Sequence, residues 1–354
     1  MPKKKVTKKK NVLVTGGCGF IGSNFIRYFY NKYSNYHIFN LDALTYAGNP
    51  DNLSDIENSE AKNKTNKRFT FIKGDICDET LIENLFKKYR FDLIIHFAAE
   101  THVDRSIFNV FDFVHTNIRG THSLLEAVRR NSVPRFIYIS TDEVYGSVPD
   151  GFADEDSPLR PSNPYAASKA SADLLAQTYI KTFKTPAIIV RGSNNFGTHQ
   201  YPEKLIPMAI TSIIEGKKVP VHGSGEHIRS WLHVLDFCSA IDLVAHKAPI
   251  FSIYNVSGEH KSNIEVLKLL AGYLGTDIKL FKEHVNDRPS ADFRYAPDCS
   301  KLQKELGWRR KYSVDSDMGD VVKWYLDNKS WWQKIKQKQE YINHYEKQYK
   351  AQWY

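Results

Sequence analysis

The run Thr15-Gly16-Gly17-Cys18-Gly19-Phe20-Ile21-Gly22 restricts the fold of this chain more than any other feature. It joins a short apolar stretch, Asn11 to Gly16, to a helix-like stretch from about Phe20 to Tyr33. Gly16 suits the tight turn between them, Gly19 lets backbone approach a pyrophosphate, and Gly22 permits a helix to pack closely on a strand. The free N–H groups and positive dipole end of that helix then favour an anion. Asp42 stands 20 residues past Gly22, at the end of a second apolar run. A carboxylate there accepts hydrogen bonds from an adenosine ribose and repels a 2′-phosphate, which favours NAD over NADP. A glycine turn with no ligand does not account for the strand, helix and acid all falling in place. Asp75, after the third apolar run, is either an adenine contact or the N-cap of the helix that begins near Asp78.

The rest of the first half repeats the same alternation. Apolar runs at His37–Leu41, Arg68–Lys73, Phe91–Ala98, Arg135–Ser140 and Ala187–Arg191 are separated by helix-like stretches such as Asp78–Tyr89 and Val110–Arg130. The runs are continuous rather than alternating, as in strands covered on both faces. Strand–helix alternation of this kind predicts an α/β Rossmann fold, a doubly wound parallel sheet. After about Gly192 the rhythm breaks at Pro202, Pro207, Pro220, Gly216, Gly223 and Gly225. The expected organisation is a disordered basic tail over 1–10 and a dinucleotide-binding domain over 11–193 with returning pieces from about 228–253. A smaller C-terminal substrate-binding lobe follows mainly over 194–330, then a terminal helix or tail over 331–354.

Composition bounds the function classes. No apolar run approaches the roughly 20 residues that span a bilayer, so no membrane partner is expected. The net charge is +9, but Lys3, Lys4, Lys5, Lys8, Lys9 and Lys10 supply most of it. The remainder makes no case for a nucleic-acid-binding fold; the tail reads as a solvated segment, with nuclear import or nucleic-acid binding as its alternative. Cys18, Cys77, Cys238 and Cys299 have no metal-ligand spacing, so no metal is expected. They read as reduced thiols of a cytoplasmic protein.

Two short segments carry the chemistry. Ser140-Thr141-Asp142-Glu143-Val144-Tyr145-Gly146 places a hydroxyl and two adjacent carboxylates at the end of the fifth run. Tyr165-Ala166-Ala167-Ser168-Lys169 places a phenol and an ammonium one helical turn apart, after a helix-starting Pro164. A phenol beside a cation is an acid–base group with a lowered pKa. Two carboxylates in different surroundings can fill the acid and base roles of an elimination; residue types alone leave open which is which. Tyr145 is open between packing and catalysis.

These motifs resemble the extended short-chain dehydrogenase/reductase family. Leu44-Thr45-Tyr46-Ala47-Gly48-Asn49, Ala99-Glu100-Thr101-His102-Val103-Asp104-Arg105-Ser106, Ser193-Asn194-Asn195-Phe196-Gly197, Pro202-Glu203-Lys204-Leu205-Ile206-Pro207 and Asp287-Arg288-Pro289 narrow the resemblance. Over roughly Asn11 to Leu326 the chain is similar to the nucleotide-sugar 4,6-dehydratases, most of all those acting on dTDP-glucose. The resemblance implies that Tyr165 takes the C4 hydroxyl proton while hydride moves to NAD⁺, with Lys169 holding the ribose and Thr141 the C4 oxygen. Glu143 then removes the C5 proton, Asp142 protonates the departing C6 hydroxyl, and hydride returns to C6. The product is a 4-keto-6-deoxy sugar, of use in rhamnose-type deoxysugar synthesis.

The resemblance further implies that Phe20, Ile21, Thr45, Ile76, Ala98, Ala99 and Thr116 join Gly16, Gly19, Gly22, Asp42 and Asp75 around NAD. Thr101, Asn194, Lys204, Leu205, Asn263 and Tyr295 become substrate contacts. A diphosphate needs donors and positive charge, and Arg229 and Arg288 are the candidates, with a surface ion pair as the alternative for each. A homodimer is implied through helices near Phe108–Arg130 and Asn163–Phe183. The segment Ser147–Pro161 is a candidate cover over the site.

The rival readings are a UDP-glucose 4,6-dehydratase, an epimerase, which has no use for Asp142 and Glu143, a UDP-glucuronate decarboxylase, and a non-catalytic NAD-binding protein, which has no need of Tyr165 and Lys169. Thymine and uracil differ by one methyl, worth only about 1 kcal/mol in a pocket.

Overall fold

The computed structural model describes residues 9–63, 66–350 and 353; the lysine-rich tail before Lys9 lies outside them. The strands are β1 (Lys10–Thr15), β2 (Tyr36–Asp42), β3 (Phe69–Lys73), β4 (Leu93–His96), β5 (Phe136–Thr141), β6 (Ala187–Gly192), β7 (Asn194–Phe196), β8 (Val219–His222), β9 (Ile228–His233), β10 (Ile253–Val256), β11 (Glu259–Ser262) and β12 (Lys282–Val285). A seven-stranded parallel sheet runs in the order β10-β6-β5-β4-β1-β2-β3. Order reverses beside β1, whose neighbours are β2 and β4. In such sheets the crevice at the strand C-termini next to that reversal receives the ligand.

Side-chain alternation along each strand feeds two cores. Val12 and Ile95 join Phe25, Phe29, Phe237 and Ile241 on one face. Leu13 and Ile94 join Leu124, Phe136, Tyr138 and Ala176 on the other. Each such large apolar side chain stabilises the fold by about 1.5–3 kcal/mol through burial. The helix Val234–Lys247 belongs to the first of these cores, and β10 is the edge strand of the main sheet, whereas β9 pairs with β7 and β11 in a separate small sheet. Of the segment 228–253, therefore, the first strand stays in the smaller lobe and only the helix and the strand after it return.

Local sequence sets the helices that matter. Pro164 starts the helix Pro164–Phe183, and the Asn163 side chain accepts from the Ala166 N–H at 2.9 Å; both are favourable start signals. Arg191 on β6 grips Asp173 of that helix through two bonds of 2.9 Å, both residues essentially unexposed. The stretch 110–130 stays helical but widens into a π-helix at Val114–Gly120, the kind of bulge that re-aims side chains near sites. There a Cβ on Gly120 would lie 2.4 Å from Ile76 Cδ1, so that side chain would have to shift to admit one.

The smaller lobe packs helices Leu205–Ile214, Asn263–Tyr273 and Val314–Asp327 around Phe196, Ile210, Val219, Leu267, Met318 and Trp332. The C-terminal stretch forms helices Lys329–Lys336 and Gln339–Lys350. Trp332 is fully buried and donates to Tyr325 O at 2.9 Å, and Tyr341 donates to Pro202 O at 3.1 Å.

Candidate active site

The glycine loop leaves β1 with Gly16 at φ +71°, donating to Leu41 O at 2.9 Å. A Cβ on Gly16 would stand 2.6 Å from the Ala98 backbone nitrogen, and one on Gly22 would stand 2.3 Å from Gly16 O. The loop can therefore close onto the helix Phe20–Lys32 only with glycine at both places. Asp42 accepts from Cys18 N–H and Leu44 N–H, each at 2.8 Å. Each carboxylate oxygen keeps a further lone pair for a ribose hydroxyl, and burial raises its pKa. One pocket is continuous from this loop, through Thr45, Asp75, Ile76, Ala98, Ala99 and Thr116, to Thr141, Asp142, Glu143, Tyr165 and Lys169. These residues fit a dinucleotide: a glycine-lined helix N-terminus for the pyrophosphate and an acid for the ribose.

At the reacting end, Thr141 closes β5 and Asp142–Tyr145 makes one 3₁₀ turn. Thr141 Oγ1 accepts from Glu143 N–H and donates to Asp142 Oδ1, both at 3.3 Å. The neighbouring carboxyls differ in their surroundings. Burial, then the Glu143 charge, pushes Asp142 well above the usual carboxylate range. Burial also raises Glu143, but Arg229 and Lys204 draw it back, and Tyr295 donates to it at 3.3 Å. Asp142 Oδ2 is buried without a protein partner. The pair thus offers a held proton on Asp142 and a more readily ionised Glu143.

Tyr165 departs from the sequence expectation. Its phenol is raised, by burial first and by Glu143 and Asp142, with the Thr141 hydrogen bond opposing them. Lys169 does not offset this, because its Nζ donates to Ile139 O at 2.7 Å and lies over the Tyr138 ring. Desolvation also lowers Lys169 itself to about 7, against the pull of Asp173. Proximity of a cation in sequence is outweighed by burial of both groups.

A second pocket shares Thr101, Glu143, Asn194 and Lys204 with the first and adds Leu205, Arg229, Asn263, Arg288 and Tyr295. Arg229 lies over the Tyr295 ring and donates to Asp292 O at 2.9 Å. Arg288 pairs with Asp104, which is fully buried.

A family model described as GDP-mannose 4,6 dehydratase matches residues 13–320. The chain belongs to this nucleotide-sugar 4,6-dehydratase family. It is 43% identical over 330 residues to the dTDP-glucose 4,6-dehydratase of Streptomyces niveus, covering 92% of this chain and 95% of that one. Its structure is similar to the crystal structure of dTDP-glucose 4,6-dehydratase from Bacillus anthracis in complex with NAD, with a TM-score of 0.84 and 42% identity over 92% of this chain and 99% of the other. The dTDP-glucose 4,6-dehydratase from Streptomyces venezuelae, also with NAD bound, gives 0.86 and 39% over the same shares.

Within the 4,6-dehydratase fold, every residue proposed from sequence for cofactor, catalysis or substrate borders one of the two pockets, and Tyr145, left open there, does not. Several alternatives resolve. The helix Glu79–Lys88 is capped by Asp78, at 2.9 Å from Leu81 N–H, and Asp75 instead accepts from Cys77 N–H at 2.8 Å while lining the dinucleotide pocket. Tyr145 packs: it accepts from Arg191 and donates to Asn255, and it lines neither pocket. No residue of the stretch 147–161 lines either pocket. Arg294 Nη1 ties that stretch down by donating to Val148 O and Gly151 O, and Ala153 bridges to Pro297. Neither arginine is a surface ion pair, since Arg229 binds backbone carbonyls and Arg288 holds a buried carboxylate. Cys18 is buried, and burial pushes its thiol up to about 12, so it is inert.

Glu100, Gln200, Glu203, His222 and Gln348 also line the pockets without having been singled out. Glu100 and Glu203 stand inside motifs that carry the resemblance, which is the signal that could have found them. Gln348 had none, standing in a helix beyond the family match. Among the described residues, no helix is long and apolar enough to cross a membrane.

Proposed function

We propose that this chain removes water from dTDP-glucose, yielding the 4-keto-6-deoxy sugar nucleotide, with NAD as its cofactor. The observation that carries the proposal is the Asp142–Glu143 pair, two unequal carboxyls beside Tyr165 and Thr141 in one dinucleotide pocket. NAD, when bound, takes the hydride leaving C4 and gives it back at C6. Tyr165 accepts the C4 hydroxyl proton in its phenolate form, which the positive charge of NAD would favour when bound, and Thr141 holds that oxygen. Glu143 removes the C5 proton that the C4 ketone has acidified, and Asp142 delivers its proton to the C6 hydroxyl as water departs. Lys169 holds the nicotinamide ribose, Asp42 the adenosine ribose, and Arg229, Arg288 and Lys204 supply donors for the diphosphate. The product is a precursor of the kind that rhamnose-type deoxysugar synthesis consumes.

The protein acts as a homodimer. Val110, Phe111, Val114, Leu174 and Phe183 are 46–70% exposed on the neighbouring helices of 110–130 and 164–183, and clustered exposed apolar side chains of this kind mark interfaces.

The test is incubation of the purified protein in heavy water with dTDP-glucose and UDP-glucose separately, followed by mass and proton NMR. Loss of water with deuterium at C5 on dTDP-glucose supports the proposal. Faster turnover of UDP-glucose moves the specificity to that nucleotide, and an inverted C4 centre with unchanged mass sinks the dehydratase reading.

A further inference from the structure

The second pocket contains an amide to which neither the family match nor the proposed chemistry assigns a role. Gln348 stands on the helix Gln339–Lys350, beyond residues 13–320, yet it lines that pocket with His222, Asn263 and Arg288. It is 2% exposed, and its Oε1 is buried without a hydrogen-bond partner. A buried acceptor in a native fold is normally satisfied, so an orphan lining a pocket points to a donor on the ligand. Its helix is fixed on both sides. Glu340 pairs with Arg105, which follows the Asp104 that holds Arg288, and Tyr349 bonds Glu283 on β12. Trp353, just past the helix, stacks on Phe108 with centroids 5.7 Å apart. The helix that carries the amide is thus held in place.

The ligand's parts differ in what they can offer this oxygen. A diphosphate has only acceptors and is served by Arg229, Arg288 and Lys204. The hexose belongs with Thr141, Asp142, Glu143 and Tyr165 in the first pocket. The remaining part is the nucleoside, and the ring N–H of thymine or uracil, the imide N3–H, is a donor flanked by two carbonyl acceptors. A primary amide matches that edge with one acceptor and one donor. The His222 ring nearby is neutral, lowered to about 4 by burial, and its Nδ1 lies 3.2 Å from Asn286 O.

We propose that Gln348 is a nucleobase contact: its Oε1 accepts the imide N3–H of a pyrimidine and its Nε2 donates to an adjoining carbonyl. The inference rests on the pyrimidine-nucleotide reading above. It makes the C-terminal helix part of the substrate site.

The test is equilibrium binding of dTDP and of N3-methyl-dTDP to wild type, Gln348→Met and Gln348→Glu, alongside steady-state kinetics, bound NAD content and melting temperature. The expected result is a loss of dTDP affinity of about tenfold in both variants, with kcat and NAD content within about twofold of wild type. N3-methyl-dTDP should bind wild type weakly and Gln348→Met no worse. Variants that bind dTDP within about twofold of wild type overturn the proposal. So does a loss of affinity matched by an equal loss of kcat and NAD, which marks a purely structural role. Wild type that binds dTDP but leaves dTDP-glucose unchanged overturns the dehydratase reading, while the binding comparison still decides the contact. Wild type that binds neither dTDP nor UDP overturns both.

Discussion

Lys169 donates its Nζ proton to the carbonyl of Ile139, 2.7 Å away on the strand that ends in Thr141. The ammonium is buried, so its folded pKa falls to about 7 from 10.5. Below pH 7 both folded and unfolded chains carry the charge, and the desolvation cost is fully present. Between about 7 and 10.5 the unfolded chain holds a proton that the folded chain has lost, so stability rises with pH across that window. Lys169→Met should remove this part of the slope. Urea midpoints at pH 6.5 and 9.5 check it: the variant's advantage over wild type shrinks as pH rises, and parallel slopes would count against it.

The unequal carboxyls predict a bell-shaped rate profile. In the proposed mechanism, activity needs Glu143 ionised and Asp142 protonated. The acid limb follows Glu143 and lies above the usual glutamate range, and the alkaline limb follows Asp142, displaced further upward. Glu143→Gln should lower turnover about 10²–10⁴-fold and abolish deuterium uptake at C5. Asp142→Asn should lower it comparably while oxidation at C4 persists, visible as absorbance at the reduced-nicotinamide band. Loss of that band in Asp142→Asn would refute the division of roles.

Gly22→Ala should cost the protein its dinucleotide. The added Cβ falls 2.3 Å from Gly16 O and 2.8 Å from Gly17 Cα, both backbone atoms of the loop. Protein purified with this change should contain less than about a tenth of the wild-type NAD, since a misplaced loop loses its aligned N–H donors. Release of the nucleotide by heat and quantification by chromatography measures it.

The Arg191–Asp173 pair clamps the helix bearing Tyr165 and Lys169 to β6. Asp173→Asn leaves a buried guanidinium without its counter-charge and should destabilise the fold by about 3–5 kcal/mol. Arg191→Met combined with Asp173→Leu should recover much of that loss, because two apolar groups leave no charge uncompensated. Denaturant unfolding of the single and double variants distinguishes this from a fully additive outcome.

Phe111 is 70% exposed and Leu174 is 52% exposed. Phe111→Glu with Leu174→Glu should convert the proposed dimer to a monomer in light scattering after size exclusion. Two charges buried without partners outweigh the apolar area that such an interface hides. An unchanged mass would place the interface elsewhere.

The loop from Thr15 to Gly22 and Asp42 were legible because their demands are local. A glycine is needed where a Cβ would strike backbone within one turn, and an acid is needed at the end of the adjacent strand. Tyr165 and Lys169 were legible as residue types, but the expected depression of the phenol was not met, because burial and the nearby carboxylates act through space and outweigh sequence spacing. Asp75 and Tyr145 were undecidable from sequence for the same reason: each choice depends on which N–H or arginine the fold delivers to it.

The amino-acid sequence by itself determined the parallel sheet, the dinucleotide loop and the hydroxyl, phenol and carboxylates that gather at it, since periodicity, turn chemistry and short motifs are written within a few residues. Only the tertiary structure decided that Asp142 and Glu143 are pushed apart in acidity, that Arg288 is held by Asp104, and that Gln348 reaches the second pocket. Desolvation and electrostatic coupling depend on which distant segments fold over a group, and no local pattern encodes them.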